Sequence, residues 1–127
     1  MKIMMASLLV DDQEKALRFY TDVLGFVKKN DIPVGDAAWL TVVSPAGPDG
    51  VELLLEPNRN PVTHAYQQGV YQAGIPATTF ASDDVHADYA RLRSRGVQFL
   101  GEPTTTEFGT AAVFDDTCGN LIAIHQP

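Results

Sequence analysis

The chain of 127 residues contains a single cysteine, Cys118. No intrachain disulfide can form, and nothing in the cysteine usage points to an oxidising compartment. Long apolar runs are missing too, so no stretch approaches the roughly 18 consecutive apolar residues that a membrane-spanning helix requires. The opening segment, Met1 to Val10, is apolar but meets Asp11 and Asp12 too early for a secretory signal. A cytoplasmic protein with no membrane partner is the expectation. Basic residues are scarce: 9 stand against 16 acidic ones, for a formal charge of −7. A field of that sign repels phosphate, which argues against nucleic acid as a partner. It is compatible with a cationic ligand. Low-complexity segments and flexible linkers are also lacking. Hydrophobic content of 45% suffices for one ordinary core or two small fused halves.

What is present is organised around one stretch, Ser7 to Phe26, which reads as a strand, a capped helix and a glycine stop. Val10 closes an apolar run, and Asp11 followed by Glu14 has the spacing of a capping box. Ala16, Tyr20 and Val23, with Leu17 and Leu24, repeat at helical spacing and define a buried face over a helix at 12–24. Phe19 and Tyr20 belong to that packing. Gly25 falls where a left-handed helix terminus belongs. About 70 residues downstream the unit recurs: Thr78–Ser82 as a strand, Asp83 and Asp84 ahead of a helix, then Gly96.

Around these two units the order of elements repeats. In the first half, strands are expected at 2–10, 26–30, 37–44 and 51–56, with Pro45–Gly50 as a turn. Residues 58–76 form a joint with a short helix near 63–73. In the second half, a strand at 77–82 and a helix at 84–95 precede strands near 97–100, 110–115 and 120–125. Arg91, Arg93 and Arg95 complement the dipole at the end of that helix as a solvated basic end. The chain therefore divides into a first βαβββ module at 1–57, a connecting segment at 58–76 and a second module at 77–127.

Three stretches carry a resemblance to a known family. They are Leu8-Leu9-Val10-Asp11-Asp12 with Phe19-Tyr20 and Leu24-Gly25-Phe26; Asp83-Asp84-Val85 with Leu92 and Arg95-Gly96-Val97; and Phe114-Asp115-Asp116-Thr117-Cys118-Gly119-Asn120-Leu121-Ile122-Ala123. In this order the chain resembles the vicinal oxygen chelate superfamily, which includes glyoxalase I, extradiol dioxygenases, fosfomycin-modifying enzymes and bleomycin-resistance proteins. The third stretch resembles the family's Asp-Pro-Asp-Gly-Asn turn, with Thr117 and Cys118 replacing the proline and second aspartate. The resemblance implies an α+β fold of two βαβββ modules whose curled mixed sheets enclose a cleft, usually in a homodimer. It implies no single reaction, because the fold hosts several.

Metal-dependent members draw nitrogen or oxygen ligands from four strand positions. Carried over, these fall on Met5, Glu52, Ala77 and Ala123. Alanine cannot coordinate, and a thioether is a poor ligand for hard or borderline ions. His125 shares a strand face with Ala123 but lies about 6–7 Å further along. His64 sits in the joint and His86 at an exposed helix start, with no metal-binding spacing between them. The expectation is no metal and no other cofactor, against the metal-dependent glyoxalase and dioxygenase activities of the family.

Strand parity lines the implied cleft with Met5, Ser7, Trp39, Thr41, Glu52, Leu54, Ala77, Thr79, Ala111, Val113, Ala123 and His125. Ser7, Trp39, Glu52, Thr79 and His125 are the candidate ligand contacts. Three roles are open to Glu52: a structural or solvent-reached carboxylate, a ligand contact, or a general base and weak catalytic candidate. Trp39 either packs in the core or stacks on a ligand. Cys118 has no neighbouring base or cation in sequence and reads as an inert thiol. The leading functional reading is a metal-independent, small-molecule-binding protein that sequesters a cationic aromatic compound. One alternative is a lyase or isomerase using Glu52 with His125 as acid/base. Another is a non-catalytic interaction module.

Overall fold

A computed structural model describes residues 1–127. It resolves into two compact units, Met1–Ala65 and Tyr66–Pro127.

The first unit begins with β1 (Met5–Val10) and α1 (Gln13–Arg18), which runs on as one π-helical turn, Phe19–Val23. The cap of α1 is Asp12, whose carboxylate accepts the Lys15 amide at 3.1 Å. This corrects the expectation of Asp11, which instead forms an exposed ion pair with Lys15 at 3.0 Å. Gly25 ends the segment at φ +92°, in the left-handed region as expected. The strands β2 (Val27–Val34), β3 (Ala37–Val43) and β4 (Glu52–Pro57) follow. They form a sheet in the order β1-β4-β3-β2, with β1 and β4 parallel and the other pairs antiparallel. Leu8, Val10, Leu40, Val42 and Leu55 are buried on the face that packs against α1, beneath Ala16 and Tyr20. The edge strand β2 runs four residues beyond the expected end at Asn30. Pairing with Ala37–Val43 extends it through polar and proline positions that the sequence pattern reads as a strand end.

The second unit repeats this order. The helix α2 (Pro61–Gln72) leads into β5 (Thr78–Ala81), α3 (Val85–Ser94), β6 (Thr104–Thr106), β7 (Gly109–Asp115) and β8 (Leu121–Gln126). The sheet order is β5-β8-β7-β6, again with the outer pair β5 and β8 parallel. Asp84 caps α3 by accepting the Ala87 amide at 3.0 Å. Val85, Leu92, Ala112, Phe114, Ile122 and Ile124 are buried. Residues 97–100 do not form the expected strand. Only Phe99 bridges to Phe114, and the pairing strand is the threonine run Thr104–Thr106. Gly101 and Pro103 interrupt the chain between the two, and a proline has no amide to donate to a ladder. Fold class and topology are therefore α+β, with two four-stranded mixed sheets.

Candidate functional site

In each unit one sheet face carries a helix and the other does not. The helix-free face of the first sheet is set by register: Met5 lies beside Glu52, Ser7 beside Leu54, Leu54 beside Thr41, Thr41 beside Asn30, and Trp39 beside Ile32. The parity expectation thus groups Met5, Ser7, Trp39, Thr41, Glu52 and Leu54 on one face. Ser7 is exposed and Met5 half-buried. Trp39 is 40% exposed, and its cross-strand neighbour Ile32 is 53% exposed. A core tryptophan would be covered, so the stacking alternative gains over packing.

Glu52 is tied into this sheet by several bonds. Its Oε1 accepts the Thr41 hydroxyl at 2.8 Å and the Asn30 side-chain amide at 2.9 Å. The Asn30 amide also reaches the Thr41 hydroxyl oxygen at 3.2 Å. Lys29 Nζ stands 3.8 Å from Oε2 and donates to the Pro48 carbonyl at 3.3 Å. Lys29 gets there through a β-bulge: Lys28 opposes Val42 and Asn30 opposes Thr41, so the residue between them is extra. An extra residue breaks strict alternation, and for that reason Lys29 and Asn30 are not legible as Glu52 partners in the sequence. Of the three roles open to Glu52, this geometry favours the structural one. A carboxylate already accepting two hydrogen bonds, with an ammonium close by, has little need of a cationic ligand.

On the helix-free face of the second sheet, Thr79 lies beside Ala123 and Ala123 beside Val113. Ala81 lies beside His125, and His125 beside Ala111. Thr79 is exposed and His125 half-buried among small neighbours. His125 Nε2 lies 2.9 Å from the Phe108 carbonyl oxygen. At the far end of this face the Tyr71 hydroxyl donates to Asp115 Oδ2 at 2.5 Å, and Asp115 raises the Tyr71 pKa by accepting that proton and by its charge. The 115–120 turn is held from within. Asp116, fully buried, accepts the amides of Cys118 at 2.7 Å and Asn120 at 3.0 Å, and the Asn120 side chain at 2.8 Å. Gln67 of α2 donates to the Cys118 carbonyl and to Asn120 Oδ1, each at 3.2 Å. Cys118 is buried at the centre of this turn, in keeping with an inert thiol.

The donor set does not fit a metal of the kind the fold's metal-dependent members use. Met5, Ala77 and Ala123 offer no suitable donor, and Glu52 Oε1 is already engaged. Nowhere do three or more His, Cys, Asp or Glu side chains gather as a metal site would need.

Residues 2–124 match the sequence model of the Glyoxalase/Bleomycin resistance protein/Dioxygenase superfamily. The chain belongs to that superfamily. Among its relatives, the uncharacterised protein YurT of Bacillus subtilis is 52% identical over 99% of both chains. Two solved structures are similar to this chain in fold and in sequence. UcmS2 has a TM-score of 0.85 at 33% identity, with 98% of this chain and 97% of that one covered. TnmS3, an antibiotic binding protein from Streptomyces sp. CB03234, has a TM-score of 0.79 at 34% identity, covering 100% and 96%.

Proposed function

We propose that this superfamily member binds a small aromatic molecule without a metal ion, on the helix-free face of its first sheet. The observation that carries the reading is the exposed Trp39–Ile32 pair on that face. Aromatic and aliphatic surface of this kind supplies most of the contact in small-ligand sites, with a few polar groups to orient the ligand. Ser7 provides such a group. The unsuitable donors at positions 5, 77 and 123 support metal independence, and the 34% identical antibiotic binding protein supports a small-molecule ligand. Glu52 belongs to the supporting structure rather than to the contacts. A preference for cations then comes from the net charge of −7 acting at long range, not from a paired carboxylate. The lyase or isomerase reading loses ground, since Glu52 is engaged by Thr41 and Asn30 and His125 by the Phe108 carbonyl.

Trp39 is the chain's one tryptophan, so its fluorescence is a site-specific reporter. Titration with ethidium, a planar cation, and with anilinonaphthalene sulfonate, an anion, tests the reading. The expected result is saturable quenching by both, tighter for ethidium, with a gap that closes as salt screens the long-range field. No saturable quenching by either dye, or by a wider set of planar aromatics, would overturn it. The protein is further read as a cytoplasmic homodimer. The long edge strand β2, with Val27, Ile32 and Val34 exposed, supports self-association, because an uncovered apolar edge invites pairing. Sedimentation at micromolar concentration that returned a 13.8 kDa monomer would remove the dimer.

A further inference from the structure

We infer that His125 is a specificity-determining hydrogen-bond acceptor, held in one tautomer by the backbone and presenting Nδ1 to a ligand that carries an O–H or N–H donor. The inference rests on the small-molecule reading for its ligand class and concerns the helix-free face of the second sheet by itself. Its starting point is the 2.9 Å approach of His125 Nε2 to the Phe108 carbonyl oxygen. A carbonyl oxygen only accepts, so Nε2 must carry the proton. In the neutral ring that leaves Nδ1 as a bare acceptor. Nδ1 has no partner in the protein.

The turn that imposes this tautomer is built rather than incidental. The Phe108 amide donates to Thr106 Oγ1 at 3.1 Å, and the hydroxyls of Thr105 and Thr110 lie 3.0 Å apart across the hairpin. Gly109, at φ +122°, brings the turn against the end of β8. A Cβ there would stand 2.2 Å from the Gln126 carbonyl oxygen and 3.0 Å from His125 Nε2. Only glycine allows that approach, so the Phe108 carbonyl is fixed over the imidazole. Around the ring the neighbours in register, Ala81 and Ala111, have no polar side chain to take the free nitrogen. A half-buried acceptor among alanines loses solvation when a ligand covers it unless the ligand supplies a donor. The face therefore selects phenols, amines or amides over their alkylated counterparts.

Long-range proton–nitrogen NMR of the three histidines at pH 8 reads the tautomer directly, with His125→Phe assigning the resonance. The expected spectrum has His125 protonated on Nε2 and bare on Nδ1. A matched pair of probes then reads the acceptor. 1-Naphthol should bind about five-fold more tightly than 1-methoxynaphthalene, the ratio that one net hydrogen bond supplies, and should shift the Nδ1 resonance. In His125→Phe the two probes should bind alike. An Nδ1-protonated or rapidly averaging ring overturns the inference without any variant or ligand. Equal binding of both probes to the unaltered protein overturns it while leaving the small-molecule reading intact. Failure of both probes to bind overturns it as well, and Trp39 quenching followed in the same titrations tells whether the first-sheet reading falls with it.

Discussion

The Glu52 carboxylate accepts the Thr41 hydroxyl at 2.8 Å, joining the first residue of β4 to the middle of β3. Thr41 is fully buried, so its hydroxyl depends on that acceptor. Glu52→Ala should therefore destabilise the fold by about 1–3 kcal/mol, the cost of stranding a buried donor. Glu52→Gln keeps an oxygen acceptor and should lose clearly less. Urea denaturation of both variants checks the order. The same Glu52→Gln protein should quench with ethidium at an affinity within about five-fold of the unaltered chain, since an ion pair reached by solvent contributes roughly 0–1 kcal/mol. A much larger loss would return Glu52 to the list of ligand contacts.

Thr117 adopts φ +63°, the one non-glycine residue with positive φ. A β-branched side chain is strained in that region, where asparagine is tolerated. Its amide donates to Asp115 Oδ1 at 2.7 Å, a bond that replacement of the side chain leaves in place. Thr117→Asn should stabilise the protein by about 1 kcal/mol and raise Tm by roughly 3–6 °C. Differential scanning calorimetry measures it. An unchanged or lower Tm would show that the strain is relieved locally.

The two repeated units were legible because their signals are local. Paired aspartates ahead of an apolar helical stripe, then glycine, mark Asp11 to Gly25 and Asp83 to Gly96, and the structure places helices and left-handed glycines at both. Within the first unit, choosing Asp11 over Asp12 as cap was beyond the pattern, because both residue types suit the position and only backbone geometry separates them. Strand parity predicted correctly which of Met5, Ser7, Trp39 and Glu52 share a face, and which of Thr79, Ala123 and His125 do. Parity failed at Lys29, where the bulge adds a residue, and at residues 97–106, where the threonines rather than Phe99 pair along β7. The Phe108–His125 bond was invisible for a different reason. It uses a backbone carbonyl, which every residue type has, and its only trace in the sequence is Gly109.

Tyr71 should titrate above the usual tyrosine range, because Asp115 holds its proton and repels the phenolate. Its raised folded pKa means that the stabilisation is complete below about pH 10, the unfolded value, and is lost as pH rises through the folded one. Ultraviolet titration of the four tyrosines should show a late component that Tyr71→Phe removes. In alkaline unfolding, the variant should lose less stability above pH 10 than the unaltered chain. Four tyrosines titrating together would contradict the assignment.

Divalent metal should have no specific effect on folding. A resident site occupied at one hundred times its Kd would stabilise the chain by about 2.7 kcal/mol, enough to move Tm by many degrees. At the positions that the family resemblance implies for metal ligands, this chain offers only Glu52, and Oε1 of that carboxylate already accepts from Thr41 and Asn30. Coordination through Oε2 would leave those bonds in place, but it would bring the ion against the Lys29 ammonium, 3.8 Å from that oxygen, for the gain of a single carboxylate ligand. Zinc, nickel and manganese, each added at up to about one hundred times the protein concentration, should leave Tm within a degree of the chelator-treated protein. The discriminating control is Glu52→Gln, which removes the carboxylate charge while preserving an acceptor for Thr41. A metal-induced rise in Tm that disappears in Glu52→Gln, with one ion per chain by elemental analysis, would establish a metal site and overturn the metal-independent reading. A rise that persists in the variant would trace to another surface and leave the Glu52 face unaffected.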